Sequence, residues 1–219
     1  MVKKRYLTLA VIMLALVMLA GCSKKTSTYA VEYKSGAVLV KKDGEIEVTY
    51  REEFDEKLYD KAELEEMAKE EIDEFNSKYS DDNGMAFKSL LVRKNKAKLV
   101  VTFATAEDYV LYNEKYVDSE RVIKMFVGTY QEAVDAGYEP SEKLYKVTGK
   151  KKEKVNKSDI ENIEDLMVVY TTKGTSVSVE GKYKYVNKYV SFEKLEEDGD
   201  YIANTSDMSQ NFILYEKNK

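Results

Sequence analysis

Apolar residues recur along this chain with two different periods. From Tyr29 to Tyr50 they fall at every second position, in short runs that are separated by Gly36 and by Asp43-Gly44. A period of two predicts strands, and an Asp-Gly pair between two such runs favours a hairpin turn. We therefore expect two or three strands in a meander here.

The period then changes to that of a helix. Apolar residues follow at spacings of three and four, at Leu64, Met67, Ala68, Ile72, Phe75 and Tyr79. This spacing gives one apolar stripe along a helix, and Asp60 with Glu63 forms a capping box that starts it. The opposite face is strongly acidic. It is either a docking surface or a solvated face, and charge runs of this kind favour the solvated face.

Residues 86–103 return to strand patterning on both sides of the polar turn Arg93 to Lys96, which predicts a second hairpin. Thr105 then begins another helix, with Asp108 in its first turn. A third, short helix is marked at both ends, because Thr129 with Glu132 forms a capping box and Gly137 fits the stop position.

After Pro140 the helical period disappears. Short runs typical of strands follow at 145–147, 166–170, 177–179, 183–190 and 212–215, and the basic stretch Lys150 to Lys157 is expected to be an exposed loop. The fold class is therefore α+β, with antiparallel strands and about two to three helices in the first half and an all-β second half. The portions 29–140 and 141–219 form either two units or one continuous domain, and no internal repeat indicates a solenoid or propeller.

The first 22 residues have a separate organisation. Lys3, Lys4 and Arg5 precede an apolar run from Tyr6 to Met18, which is followed by Leu19-Ala20-Gly21-Cys22. This three-part pattern is that of an export signal. The tetrapeptide resembles the lipobox of bacterial lipoproteins. The resemblance implies that a lipid is attached to Cys22 and that the bond between Gly21 and Cys22 is cut.

That resemblance defines residues 1–21 as a lipoprotein signal peptide and residues 22–28 as a lipidated tether. The alternatives are an uncleaved membrane helix, for which the apolar run is shorter than the ~20 residues normally needed, and a soluble secreted protein. A diacylglyceryl group supplies the two chains that stable anchoring requires. The expected partner of Cys22 is thus membrane lipid, and the expected location is the outer face of the cell membrane.

Charge argues against a nucleic-acid partner. Residues 1–21 contain three of the 35 basic residues and none of the 40 acidic ones, so the mature chain keeps an acidic excess of about eight. Nucleic-acid binding needs clustered Lys and Arg that meet phosphates, and no dense basic stripe is present.

The residue types also restrict the chemistry. The chain has no histidine and one cysteine. Cysteine hydrolases, serine–histidine triads and histidine or thiolate zinc sites are therefore excluded once Cys22 carries lipid. No glycine-rich phosphate loop is present. Lys173-Gly174-Thr175 imitates part of a β-lactamase motif by chance, because no matching Ser-x-x-Lys stands at the start of a helix; Ser141 to Leu144 and Ser191 to Lys194 both fail. We expect no cofactor, no metal and no catalysis.

Two acidic stretches resemble calcium-binding loops in composition. Asp81–Gly84 and Glu196–Asp200 are rich in oxygen ligands, but the first and twelfth positions of an EF-hand alignment do not carry the required carboxylates. Both stretches are therefore interpreted as turns.

Tyrosine is the last signal, with 18 residues in the chain. Tyr183, Tyr185 and Tyr189 lie close together in sequence on a predicted strand pair, and a second group surrounds the helix after Thr105, namely Tyr109, Tyr112 and Tyr116. Such rings either form a partner contact or fill strands and core for structural reasons. The structural interpretation is favoured.

The segments 108–113 and 126–129, followed by Glu132-Ala133 and Gly137-Tyr138, are similar to stretches of uncharacterised lipoproteins of Gram-positive bacteria. This similarity supports the cell envelope and implies no activity. We therefore predict a non-catalytic binding or envelope-assembly lipoprotein whose ligand is an envelope protein, a glycan or a small molecule. The alternative is a carboxylate-dependent hydrolase of cell-wall or exported glycans. A transporter's substrate-binding component is disfavoured by the helix-free second half.

Overall fold

The computed structural model describes residues 36–54, 60–80, 83–117, 123–140, 143–148, 151–156, 158, 160, 165–194, 201–207 and 209–218. Helices in these residues are α1 (Lys61–Tyr79), α2 (Ala106–Tyr116) and α3 (Tyr130–Asp135). The strands are β1 (Ala37–Val40), β2 (Ile46–Glu53), β3 (Met85–Arg93), β4 (Lys96–Phe103), β5 (Met125–Thr129), β6 (Leu144–Thr148), β7 (Lys151–Lys154), β8 (Leu166–Thr171), β9 (Ser176–Val179), β10 (Gly181–Asn187), β11 (Ser191–Lys194), β12 (Tyr201–Asn204) and β13 (Asn211–Lys217). The predicted α+β class is confirmed, with the helices mostly in the first half and, among the described helices and strands, only strands after α3.

The strands form two sheets. Sheet A has seven strands in the order β11-β12-β9-β1-β2-β4-β3, and sheet B has six in the order β5-β8-β13-β10-β6-β7. Neighbours are antiparallel except for β1 and β9, which run parallel with Val38 beside Val177. Each sheet takes strands from both sides of Pro140, since β9, β11 and β12 join sheet A and β5 joins sheet B.

The main core lies between the two sheets. Alternate residues of sheet A, such as Val38 and Val48, and of sheet B, such as Val169 and Ile213, belong to one buried cluster. The other face of sheet B is buried as well, against α3 and Ile160. Strand β8 is accordingly buried along its whole length, which explains why its sequence is a continuous apolar run and does not alternate.

Helix α1 covers the remaining part of the inner face of sheet A. The Asp60 carboxylate accepts hydrogen bonds from the backbone N–H groups of Ala62 and Glu63, and so caps the helix. These bonds are the Asp60 half of the capping box that the sequence predicts. Ile72 and Phe75 then enter the core beside residues of β3 and β4. At α3 the full capping box between Thr129 and Glu132 is present.

The expected loop over Lys150 to Lys157 is wrong for Lys151–Lys154. These residues form β7 at the edge of sheet B, where they pair antiparallel with β6. Three lysines and a glutamate have no apolar alternation, so nothing local indicates a strand. The pairing comes from the hairpin with β6, and charged side chains are suited to an exposed edge.

In the part of the chain that the structure describes, no helix combines the length and the apolar character that crossing a membrane requires. The predicted signal peptide, the predicted tether and the first predicted strand residues, 29–35, lie outside the described residues.

Candidate functional site

A polar cleft of about 360 Å³ opens at the end of sheet A where β1 and β9 begin. Because these strands are parallel, their first residues lie side by side. Strand β12 runs the opposite way, so that its last residue, Asn204, pairs with Ser176. The residues that line the cleft are Gly36, Lys173, Gly174, Thr175, Ser176, Asn204 and Thr205.

Hydroxyl groups hold the walls of the cleft together. The Thr205 hydroxyl donates to the Lys173 carbonyl at 2.7 Å and accepts from the Thr175 backbone N–H at 2.9 Å. The Thr175 hydroxyl donates to the Gly36 carbonyl at 2.6 Å, and that of Ser176 donates to Asn204 Oδ1 at 2.7 Å. A hydroxyl that donates one bond keeps acceptor lone pairs, so the cleft presents polar oxygens on a fixed frame.

The turn after β12 depends on a buried asparagine. Asn211 has no exposed surface. Its Nδ2 donates to the Thr171 carbonyl at 2.9 Å, and its Oδ1 accepts from the Ser206 N–H at 2.8 Å. Buried polar groups are stable only when they are hydrogen-bonded in this way. Asn211 therefore ties the turn beside Thr205 to the end of β8, and nothing in the local sequence pattern indicates this role.

Lys173 is the one basic residue among the described residues that line the cleft, and α2 holds its ammonium group. Its ammonium donates to the Tyr109 hydroxyl at 3.0 Å and to Asn113 Oδ1 at 3.1 Å. Both acceptors are buried. An ammonium carries three N–H donors, and these two bonds use two of them. The ammonium is thus fixed against α2 and keeps one N–H donor.

The segment Lys173-Gly174-Thr175, which is no catalytic motif by its sequence, forms one wall of the cleft. Glycine is required there, because a Cβ at Gly174 would lie 2.8 Å from the backbone nitrogen of Asp207. The sequence signal that could have indicated this wall is the short polar Lys-Gly-Thr segment between the apolar run of β8 and the alternating run of β9.

A carboxyl–tyrosine pair lies deeper, between α1 and α2. The Tyr112 hydroxyl donates to Glu71 Oε1 at 2.5 Å. Burial raises the pKa of Glu71, although the hydrogen bond from Tyr112 opposes this shift. Burial likewise raises the pKa of the Tyr50 hydroxyl well above its usual value, with nearby Tyr109 and Glu71 adding to the effect. These groups join α1, α2 and β2 in one polar layer within the core.

Carboxylates with raised pKa values lie away from the cleft. Burial raises the pKa of Glu52 to about 7 and also raises that of Glu71, but neither residue lines the cleft, and none of the described lining residues carries a carboxylate. The Asp207 carboxylate accepts a hydrogen bond from the backbone N–H of Gly174, a lining residue, at 3.0 Å. Among the described residues, no three Asp, Glu or Cys side chains come together as a possible set of metal ligands.

The three tyrosines that the sequence suggested as a partner contact do not share a surface. A bulge between Tyr183 and Tyr185 turns them to opposite faces of sheet B. Tyr183 packs on the main core and donates to the Val177 carbonyl at 2.8 Å, whereas Tyr185 packs on the side of α3. Tyr189 lies in the turn after β10, under the ammonium of Lys188.

The second tyrosine group is internal. Tyr109 and Tyr112 are buried in the main core, and Tyr116 stacks on Tyr112 with ring centroids 5.3 Å apart. Their role is to join α2 to α1 and sheet A.

Cys22 and Gly21 lie outside the described residues, as does most of both acidic stretches, of which the structure describes Asn83 and Gly84. No family model matches the chain, and no curated protein or solved structure matches it either. The case for a function therefore depends on the chain's own chemistry.

Proposed function

We propose that this protein is a membrane-anchored, extracytoplasmic lipoprotein that binds a small polar ligand in the cleft at the start of β1 and β9, without catalysing a reaction. The observation that carries the binding proposal is the composition of the cleft. Among the described residues, hydroxyl and backbone groups line it together with one lysine, Lys173, and none of these lining residues carries a carboxylate. Lone-pair acceptors in a lining that includes one basic residue suit a ligand that has both hydroxyl groups and an anionic group.

Support for a rigid site comes from its internal bonds. Thr205, Thr175 and Ser176 each hydrogen-bond to another wall of the cleft. Asn211 fixes the turn that carries Thr205. A preformed site loses little conformational entropy on binding. A volume of about 360 Å³ is within the range for small-molecule sites.

The anchor is proposed from the sequence alone, from Leu19-Ala20-Gly21-Cys22 and the basic and apolar segments before it. Metabolic labelling with a fatty acid tests it directly. The wild-type chain and a Ser23→Ala control should incorporate label, and Cys22→Ala should not. Label that persists in Cys22→Ala would contradict the anchor.

Calorimetric titration tests the cleft. The probes are glycerol 3-phosphate, galacturonate and uncharged glycerol. At least one of the two anions should bind, glycerol should bind more weakly, and Lys173→Met should lose roughly tenfold or more in affinity for the anion, since hydrogen bonds to charged groups contribute ~1.5–3 kcal/mol. Lys182→Met, at an exposed position on β10, is the matched control. Equal losses in both variants, or no heat with any probe, would count against this site.

A further inference from the structure

A basic surface with an apolar centre covers the outer face of the β3–β4 hairpin. Leu91 is 56% exposed, the most exposed large hydrophobic residue described. It pairs across the sheet with Lys98, which in turn pairs with Arg51. Arg93 and Lys96 form the next row with Glu53, and Lys94 is at the hairpin tip. We call the exposed residues of this set, Leu91, Arg93, Lys94 and Lys96, the hairpin surface.

The opposite side of the same sheet region has the opposite charge. Helix α1 packs on the inner side of β3 and β4, through Ile72 and Phe75. Its exposed face carries Glu66, Glu70 and Asp73. The end of sheet A therefore has a basic outer face and an acidic face behind it. Such an asymmetry orients a molecule near a charged surface, although the whole chain is acidic.

The chain enters the described fold at this same end. Gly36 precedes β1, and the β1–β2 register places Ala37 opposite Thr49, which is opposite Val100 of β4. Along the strand direction, Gly36 is thus at the same height as Leu99 and Leu90, and Leu90 is the chain neighbour of Leu91. Strands β1 and β3 have β2 and β4 between them, a separation of about 14 Å at the usual strand spacing. The link from Cys22 to Gly36 spans at most about 50 Å when extended.

We infer that the hairpin surface is a membrane-contact surface that docks on anionic phospholipid, with Leu91 entering the interface and the surrounding Arg and Lys side chains meeting lipid phosphates. Each basic residue near an anionic leaflet contributes about a fivefold gain in binding. An apolar residue at the centre adds burial that a purely ionic contact lacks. The inference extends the proposed function, since it gives the anchored protein a fixed orientation, with the cleft at the membrane-facing end of sheet A.

The test uses the full mature chain with Cys22→Ser, so that vesicle binding reports the hairpin surface and not the lipid. The chain has no tryptophan, so Leu91→Trp introduces a single reporter. Its emission should shift to the blue on vesicles of phosphatidylcholine with phosphatidylglycerol, and not on phosphatidylcholine alone. Tyr79→Trp, at the other exposed large hydrophobic position among the described residues, should show no shift.

Charge is tested by co-sedimentation with the same vesicles. Arg93→Gln/Lys94→Gln/Lys96→Gln should bind about a hundredfold more weakly. The control, Lys146→Gln/Lys154→Gln/Lys182→Gln, removes the same charge from exposed positions of sheet B and should bind like the parent. Circular dichroism checks that each variant is folded.

Three results would overturn the inference. These are an absence of a blue shift at position 91, equal losses in the two triple variants, and binding to soluble polyglutamate or polyglycerol phosphate but not to vesicles. The last result would assign the surface to an acidic polymer. The vesicle experiments do not depend on acylation. If Cys22 carries no label, the proposed anchor fails and the membrane-contact surface is unaffected; if the vesicle experiments fail, the proposed anchor is unaffected.

Discussion

At the scale of single residues, Glu52 is a carboxyl whose environment opposes its charge. It lies on β2 opposite Ala97, whose side chain belongs to a buried cluster with Phe54 and Leu90. Burial raises its pKa to about 7, against ~4.3 for an unperturbed Glu. The folded state therefore binds this proton more tightly than the unfolded chain, and stability falls as the pH rises from about 4.3 to about 7.

Glu52→Gln removes the charge and should raise the melting temperature at about pH 8 while leaving it nearly unchanged at about pH 4. The gain should be on the order of 1 kcal/mol, because the side chain is partly exposed and solvent screens it. Thermal unfolding followed by circular dichroism at both pH values measures the difference. Glu53→Gln, the exposed neighbour on the opposite face, is the control. A gain that is independent of pH would refute this account of Glu52.

Removing the hydroxyl of Tyr112 should lower the free energy of unfolding, whereas removing that of Tyr215 should not. Tyr112 donates to the carboxyl of Glu71, so Tyr112→Phe leaves that carboxyl without its partner and should cost about 1–3 kcal/mol. The hydroxyl of Tyr215 is buried and has no hydrogen-bond partner among the described residues. Tyr215→Phe should therefore be neutral or should stabilise the fold by up to ~1 kcal/mol. Urea unfolding measures the free energy of unfolding of both variants. A similar loss of stability in both would contradict the hydrogen bonding described above.

At the scale of elements, the sequence predicted what local chemistry determines. Helices α1 and α3 were found because Asp60 and Thr129 cap them, and capping depends on residues within one turn. The β3–β4 hairpin was found from its alternation around a polar turn. Strand β7 was missed because its pairing with β6 has no local signal, and the bulge that separates Tyr183 from Tyr185 reverses faces in a way that simple alternation does not reveal.

The turn of the β3–β4 hairpin carries backbone strain. Lys94 and Asn95 have φ values of 49° and 58°, the left-handed region that a two-residue hairpin turn of this kind requires and for which Asn-Gly is best suited. Lys94→Asn/Asn95→Gly should therefore stabilise the fold by about 1 kcal/mol. Thermal unfolding measures this gain. The same variant loses one cation of the hairpin surface, so its vesicle affinity should fall about fivefold even as its stability rises.

At the scale of the whole molecule, the arrangement of strands was beyond sequence reasoning. The parallel pair β1–β9 joins residues about 140 positions apart in the chain, and short runs of Val and Ser contain no information about such a partner. The cleft was missed for the same reason, since its walls come from Gly36, from residues 173–176 and from residues 204–205. Only the backbone topology brings these three segments together, whereas the proposed anchor rests on a local motif that can be recognised without a fold.

The interleaved sheets lead to a prediction about cooperativity. Sheet A needs β9, β11 and β12, sheet B needs β5, and one buried cluster contains residues of both sheets. The mature chain should therefore unfold in a single transition, with far-ultraviolet circular dichroism and tyrosine fluorescence changing together. Residues 23–140 and 141–219, expressed separately, should each lack cooperative unfolding, because the first leaves β1 without β9 and the second leaves β8 without β5. A fragment that melts cooperatively alone, or two separated transitions in the intact chain, would show that the two portions fold independently.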